Sequence, residues 1–421
     1  MRLHHFYRAT ATTLSLAAVP LHHRTATALS TTAASPPRHV LLVASRADKA
    51  SLNLAEAMLQ CAPASATSAA CWTPLEPCGN GERSRYISGS WAGGAASGSS
   101  EESNKVSLWL LSDKLTQFDD ADKRWREENP DDGAVDEVIF LSRHAAESGR
   151  PCLTVHPIGT PSTARADPER FGGRPGRCPP PNLRMASLLR RVKAHAESTG
   201  LLLTKKKGGG GGKEKKEENE EEEEEENEGF EVSPEATHHG PWLEVPACFV
   251  EIGSREGDWG RKDASSVWAQ VLHEELFGAA ERGRVGGGGG GEAASSDSGD
   301  GGGDDQGVVV MGLGGGHYCP KISDIIGGDE AVSVGHIVPS YALAFDEGDG
   351  GGGGGGDWEA AVREAVASTR VAMESHGWGR RELVALVDKK AFKSTQKAML
   401  TGLLEELDVR VAMKKNAVLR R

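Results

Sequence analysis

The sequence predicts an α/β fold: a mixed, largely parallel sheet flanked by helices and interrupted by disordered low-complexity insertions. Short, nearly continuous apolar runs alternate with longer segments in which Leu, Val, Ala and Trp recur at helical spacing. Strands of a parallel sheet read this way because crossover helices bury both of its faces. Polar clusters also fall just after several apolar runs, where such sheets build their sites. Finally, three tracts of Gly with Glu, Asp and Lys, at 205–229, 281–306 and 346–357, punctuate the pattern. They bury too little apolar surface to offset their ordering entropy and are expected to be disordered surface insertions.

In chain order, strands are predicted at 40–44, 106–111, 137–142, 153–156, 247–252, 308–313 and 383–387. Helices are predicted at 51–60, 183–196, 264–277, 358–373 and 394–407, each with one apolar face. The segment 106–130 is ambiguous, since Trp109, Phe118 and Trp125 suggest packing while its charges suggest a surface helix. Residues 71–103, rich in Gly, Ser and Ala, read as a variable loop. Residues 1–37 contain no Asp or Glu, several Arg and His, and many Ser, Thr and Ala. That is the composition of an organelle transit peptide, so a chloroplast or mitochondrion is expected, with the cytoplasm as the alternative if the segment is a disordered tail. Residues 38–421 are then a single domain interrupted by the three insertions.

The formal net charge of −13 over 421 residues resides in the insertions, which carry 11 Glu against 6 Lys, 6 acids against 2 Arg, and 4 acids. A nucleic-acid partner must therefore be held by local Arg and Lys, because the summed field offers no attraction. The seven Cys form no C-x-x-C pair, which argues against a disulfide framework or a thiolate zinc site. No stretch approaches the roughly 18 apolar residues of a membrane span.

Six segments concentrate chemistry. F-L-S-R-H-A-A-E-S-G at 140–149 presents Arg143 and His144 directly after an apolar run, and L-T-V-H-P-I-G at 153–159 holds His156 extended before Pro157. E-V-S-P-E-A-T-H-H-G-P at 231–241 contains His238 and His239; adjacent histidines point apart on most backbones, so one could bind metal while the other orients it. F-V-E-I-G-S at 249–254 sets Glu251 inside an apolar strand, where a carboxylate must be paired or coordinated. V-V-V-M-G-L-G-G-G-H-Y-C-P-K-I-S-D at 308–324 ends a strand in Gly314, Gly315 and Gly316, followed by His317 and Tyr318. Lacking Cβ atoms, those glycines let main-chain N–H groups approach a substrate carbonyl. V-G-H-I-V-P-S-Y at 334–341 places His336 among apolar residues. Any one of these fits a satisfied structural residue. Together they point to a His-rich hydrolytic or metal site, with zinc suited to imidazole and carboxylate ligands and able to activate water. The chain has no H-E-x-x-H, so spacing does not assign the ligands.

These segments, with F-G-G-R-P, P-P-P, W-G-R-K-D-A and V-D-K-K-A-F-K-S, run in order from about His39 to the C-terminus and resemble the archaeal and plant type of D-aminoacyl-tRNA deacylase. T-H-H-G-P, G-G-G-H-Y and G-H-I-V-P are the most specific of them. The insertions, the N-terminal extension and the expanded loop before Val106 fall between the matching blocks, and Cys319 stands where a small residue is expected. The resemblance implies a fold similar to peptidyl-tRNA hydrolases and the phosphorylase group, zinc as cofactor, and hydrolysis of the ester joining a D-amino acid to the 3′-terminal adenosine of tRNA. The products would be free D-amino acid and tRNA, with aldehyde-modified D-aminoacyl-tRNA as a further substrate. On that reading, His317, His156, Glu251 and the N–H groups of Gly315 and Gly316 are catalytic candidates. His238, His239, His336 and Glu251 are metal-ligand candidates. Arg143, Arg174, Tyr318 and Lys321 are substrate-contact candidates, with Lys389 and Lys390 weaker. The alternatives are a peptidyl-tRNA hydrolase or metal-dependent peptidase on the same fold, and a non-catalytic tRNA-binding module.

Overall fold

The apolar strands divide between two sheets rather than one. In a computed structural model that describes residues 38–61, 72–78, 83–88, 104–163, 167–203, 229–277, 307–343, 345 and 357–419, the larger sheet has eight strands. In chain order these are β1 (His39–Ser45), β2 (Trp72–Cys78), β3 (Arg83–Ser88), β4 (Lys105–Leu111), β5 (Glu137–Arg143), β6 (Cys152–Pro157), β7 (Glu231–Pro234) and β8 (Ala247–Gly253). Across the sheet the order is β2-β3-β4-β1-β5-β8-β6-β7. The pairs β1–β4, β1–β5, β5–β8 and β6–β7 are parallel, β6 opposes β8, and β2–β3–β4 form an antiparallel edge. The second sheet, β10-β9-β11-β12, is parallel throughout and consists of β9 (Val308–Leu313), β10 (Val332–Val338), β11 (Glu382–Val387) and β12 (Arg410–Ala412). All described residues belong to one unit, Pro37–Arg421. The predicted transit segment 1–37 and nearly all of the three low-complexity tracts lie outside the described residues.

The α/β class with mostly parallel strands is as predicted, and every predicted strand is present. The loop expected at 71–103 is corrected: it carries the β2–β3 hairpin. β2 is the edge strand and is broken by Pro74 and Pro77, and β3 beside it is rich in Arg and Ser, so neither has the apolar run that marks a central strand. Strand β10 escaped prediction because Gly335 and His336 interrupt it. A Cβ at Gly335 would lie 2.5 Å from Thr369 Cγ2, so a helix packs directly on the strand backbone there.

Helices α1 (Lys49–Gln60), α4 (Met185–Ser198) and α6 (Lys262–Phe277) cover one face of the large sheet, burying Leu54, Met58, Leu188, Val192, Trp268 and Leu272 against Val40, Leu42, Leu141, Val155 and Val250. The first begins where the Asp48 side chain accepts from Ser51 N at 3.0 Å. On the opposite face Leu41, Val43, Val138, Phe140 and Phe249 pack with Trp109, Phe118 and Trp125, the last on α2 (Ala121–Glu128). This resolves the ambiguous segment. Trp109 meets Phe118 and Trp125 edge-to-face at 5.3 and 5.5 Å, while Arg124, Arg126 and Glu127 of α2 are exposed. Short helices α3 (Pro168–Phe171), α5 (Glu256–Trp259) and α7 (Pro320–Ile326) lie on loops, and α8 (Trp358–Ser375) and α9 (Ser394–Glu406) bury Val362, Val366, Leu400 and Leu404 against the second sheet. Among the described residues no helix is long and apolar enough to cross a membrane.

The two sheets are joined where the chain leaves β7. Ala236 N donates to His317 O at 2.8 Å, Thr237 N to Ile337 O at 2.7 Å and Cys319 N to Pro234 O at 3.4 Å. These bonds fasten the segment carrying His238 and His239 to the glycine loop after β9.

Candidate active site

Side-chain alternation on four neighbouring strands delivers the first site residues to one face. Ser142 lies in register with Glu251, Thr154 with Glu251, His156 with Phe249, and Val155 with Pro234. With a period of two, His144 therefore follows Ser142 onto the face of Glu251, and Glu235 follows Pro234 onto the face of His156. The floor beneath them is apolar. Phe140 stacks on Phe249 at 4.9 Å, and Phe249 on His156 at 5.0 Å. His238 and His239 enter from the segment after β7, and His317 and Tyr318 from the loop after β9.

Two buried carboxylates organise the imidazoles. Glu235 is fully buried, with Oε1 3.1 Å from His144 Nδ1 and Oε2 2.8 Å from His317 Nε2 and 3.7 Å from His238 Nε2. Glu251 approaches His144 Nδ1 at 3.4 Å and His156 Nε2 at 3.7 Å. His144 Nε2 in turn meets the Tyr318 hydroxyl at 2.8 Å. Ring centroids separate His156 from His238 by 4.2 Å, His238 from His239 by 4.0 Å and His238 from His317 by 4.5 Å.

Burial opposes charge throughout, but partners decide the outcome. Despite burial, His144 and His156 hold the Glu251 carboxyl down to about 2, and His317 and His144 hold Glu235 below the usual carboxylate range. Reciprocally, Glu251 and Glu235 raise His144 and His156 against their own desolvation. His238 and His239 are pushed well below the ordinary imidazole range by burial and by neighbouring histidines, and so are neutral with a lone pair to offer. Burial and nearby carboxylates push the Tyr318 phenol up to about 12, so it keeps its proton.

The residues fit a cation. A carbonyl only accepts, so His156 Nδ1 must donate to Pro157 O at 3.0 Å and His238 Nδ1 to Ala236 O at 2.7 Å. Backbone anchoring of this kind fixes the tautomer of a metal-ligating histidine and leaves Nε2 as the donor atom. Ligand atoms of His156, His238 and His239 lie within 4.8 Å of one another, as do those of His144, Glu235 and His317. Buried His239 Nδ1 has no hydrogen-bond partner among the described residues, and His156 Nε2 and the Glu235 oxygens face only the imidazoles and carboxylates of the cluster. Unpaired buried polar atoms are costly, and coordination would relieve them.

Of the residues singled out from sequence, the fold brings His156, His238, His239, Glu251, His317 and Tyr318 together. His336 is a correction. Its Nδ1 lies 3.0 Å from Thr237 Oγ1 and its Nε2 3.1 Å from Pro179 O, while burial pushes it to about 3. With both nitrogens committed it supports Thr237 and has no lone pair for metal. Gly315 is a second correction, because its N–H donates to Ser340 Oγ at 2.8 Å and is not free for an oxyanion. Gly316 faces open space, with no atom within 4 Å of an added Cβ. Arg143 lies over Trp259 at 4.8 Å, Arg174 over Trp242 at 4.8 Å, and Lys321 pairs with Asp388; these three sit outside the imidazole cluster. Sequence reasoning passed over Glu235 and His144 as site residues. The signal was present in strand alternation, which puts His144 on the face of Ser142, and in the spacing of Glu235 three residues before His238.

The sequence profile of the D-aminoacyl-tRNA deacylase family matches residues 132–205 and 213–412, a span that contains the whole cluster. A D-aminoacyl-tRNA deacylase of Arabidopsis thaliana is 32% identical over 316 residues, covering 73% of this chain and 85% of that protein. One from Aeropyrum pernix is 30% identical over 277 residues, 65% of this chain and 74% of that protein. Against one from Methanococcoides burtonii, 28% identity extends over 66% of this chain but 40% of that protein. A crystal structure described as a conserved protein of unknown function superposes with a TM-score of 0.57 at 20% identity, covering 91% of this chain and 97% of that one, and supports the fold.

Proposed function

The chain belongs to the D-aminoacyl-tRNA deacylase family, and from that premise we propose that the buried imidazole–carboxylate cluster is where its ester substrate is cleaved. The protein is a hydrolase that removes the D-aminoacyl group from tRNA. The profile and the relatives favour neither a peptidyl-tRNA hydrolase or peptidase nor a non-catalytic tRNA-binding module. The observation that carries the placement is the pair of buried glutamates facing four histidines at the sheet junction, with donor atoms left unpaired.

Ester hydrolysis needs a deprotonated water, stabilisation of a developing oxyanion and a proton for the leaving ribose oxygen. Glu235 suits the base: it is held ionised against full burial, chiefly by His317 and His144. His317, with Nε2 2.8 Å from Glu235, orients it. Tyr318 stays protonated and leans on His144, whose other nitrogen faces Glu235 and Glu251, so the phenol holds a proton at the mouth of the site for the leaving oxygen. The free N–H of Gly316 would face the oxyanion, with Gly315 serving to brace the loop. Histidines 156, 238 and 239 would hold zinc, which when bound polarises an ester carbonyl and lowers the pKa of water. Gly314 N is fixed to Val338 O at 2.8 Å and Gly315 to Ser340, so a rigid backbone lines the acyl pocket and does not yield to an L side chain aimed at it. Arg143, Arg174 and Lys321, each about half exposed, would receive acceptor-stem phosphates.

Matched D- and L-aminoacyl-tRNAs, assayed before chelation, after it and after zinc is restored, test the reading. The expected result is release of free D-amino acid, sparing of the L ester, and loss and recovery of rate with the metal. Full turnover by metal-free protein removes the cation from the mechanism, and equal cleavage of the L ester removes the chiral pocket.

A further inference from the structure

The large aromatic side chains exposed among the described residues are Phe171, Tyr318 and Tyr341, at 37, 38 and 40%. All three touch the histidine cluster. Tyr318 packs against His144 and His317, the Tyr341 hydroxyl lies 3.5 Å from His317 Nδ1, and Phe171 stacks nearly parallel on His239, 13° apart in plane with centroids 6.0 Å apart. Tyr318 and Tyr341 carry hydroxyls that the cluster uses. Phe171 has none, so its exposure is left without an explanation in the chemistry.

Phe171 is held in place by backbone. Its carbonyl accepts from Gly240 N at 3.0 Å, next to His239. The two glycines after it have φ of +69° and +77°; a Cβ on Gly172 would fall 1.6 Å from Thr116 O, and one on Gly173 would fall 2.5 Å from Gly240 O. Only glycine permits that approach, so the backbone that carries the ring is fixed at the site mouth. The Arg170 guanidinium lies 4.8 Å from its ring centroid and has no acidic partner among the described residues, unlike Arg174 and Arg177, which pair with Asp120 and Glu364 beside Trp242.

We propose that Phe171 and Arg170 form a ledge on which an unpaired base of the tRNA 3′ end stacks, fixing the ester over the histidine cluster. This rests on the deacylase reading. The ester is attached to the terminal ribose, so when the acyl carbon is in the cluster the 3′ bases lie at its rim. Single-stranded bases are held by aromatic faces and arginine planes without sequence readout, because every base has a π-face. An amino-acid side chain alone gives no use for an uncommitted guanidinium over the ring. A nucleotide uses both, the base on the planar face and its phosphate on the cation.

The test is binding of uncharged tRNA, which has no amino acid, to wild type, Phe171→Ala, Phe171→Leu and Phe171→Trp, using intact tRNA and the same tRNA trimmed of its unpaired 3′ tail. Alanine and leucine should each weaken binding of intact tRNA about tenfold, as expected for losing one stacked base. Neither should affect trimmed tRNA, and tryptophan should restore wild-type affinity. The leucine variant keeps a branched apolar side chain without the π-face and so separates stacking from packing. Equal weakening on both tRNAs, or no weakening on either, overturns the ledge. Failure of wild type to cleave D-aminoacyl-tRNA would instead overturn the reading beneath it.

Discussion

Strand β5 has buried carboxylates near both of its ends, and the two ends are treated in opposite ways. At its start Glu137 is fully buried and saturated: Arg184 Nε at 2.7 Å, Arg38 Nε at 2.9 Å and Asn182 Nδ2 at 3.2 Å. Beyond its other end, Glu235 and Glu251 pair with imidazoles alone among the described residues. Glu137 and Glu251 are both held down to about 2 against burial, the one mainly by Arg184, the other by His144 and His156. The neighbouring imidazoles show what differs. His376, 3.8 Å from Glu137, is pushed down to about 4, because burial is reinforced by arginines that have already claimed the carboxylate. His144 and His156 are raised, because no permanent cation competes for Glu251. Arginine makes a carboxylate a structural fixture, whereas histidine leaves it able to exchange protons and cations.

The largest effects should separate those two ends by mutation. Glu235→Gln is expected to lower kcat for D-aminoacyl-tRNA by about 10²–10⁴-fold, the range for losing a general base, with a smaller stability loss than at Glu137 because its imidazole partners can give up their protons. Glu137→Gln should do the reverse, costing about 3–5 kcal/mol as a broken buried ion pair while the folded fraction turns over normally. Single-turnover deacylation alongside denaturant unfolding measures both. A Glu235→Gln enzyme of wild-type rate, or a Glu137→Gln enzyme that loses activity well before it unfolds, breaks the comparison.

That contrast was invisible in the sequence. The run E-V-I-F-L-S-R-H declares a strand through local apolar continuity, which is why β1, β4, β5, β6, β8, β9 and β11 were legible. Its polar ends look alike because their partners are remote: Arg184 lies 47 residues from Glu137, and Tyr318 lies 174 from His144. His336 was misjudged for the same reason, since the Thr237 that satisfies it is 99 residues away. Glu251 stood out because an acid in a central strand demands a partner wherever that partner comes from. The β2–β3 hairpin was missed because neither of its strands has a continuous apolar run.

The site end is also braced by backbone, and the glycine loop tests how much that bracing matters. Gly314 has φ of +91°, and a Cβ there would lie 2.6 Å from Phe392 Cε2. Gly314→Ala should therefore cost about 1–3 kcal/mol in stability and displace His317. Gly316→Ala meets open space and should change stability by less than about 0.5 kcal/mol, while its methyl group intrudes on the ester and raises KM. Equal stability losses at the two positions would mean that the loop is not pinned where Gly314 meets Phe392.

The smallest effect is a proton count, and it is the most direct probe of what histidine does that arginine cannot. Glu137 has a depressed folded pKa, so its stabilisation is present above its ordinary 4.5 and is lost as pH falls towards about 2. His144 and His156 have raised folded pKa values, so without a cation their stabilisation is complete below the ordinary 6.5 and is lost as pH rises through the folded values. The arginine-held end of β5 thus loses its stabilisation in acid alone, whereas the site end loses the contribution of its histidines as pH rises as well. A cation on His156 Nε2 must displace the proton that Glu251 holds there, so zinc should bind more tightly as pH rises and release up to about one proton per ion near pH 6–7. Calorimetric titration of zinc in two buffers of different ionisation enthalpy reads that number directly. Glu137→Gln should leave it unchanged and Glu251→Gln should reduce it, because only the second removes the charge that keeps His156 protonated. Zero release from the wild type would mean that His156 is already neutral, and that Glu251 governs its imidazoles no more than Glu137 governs His376.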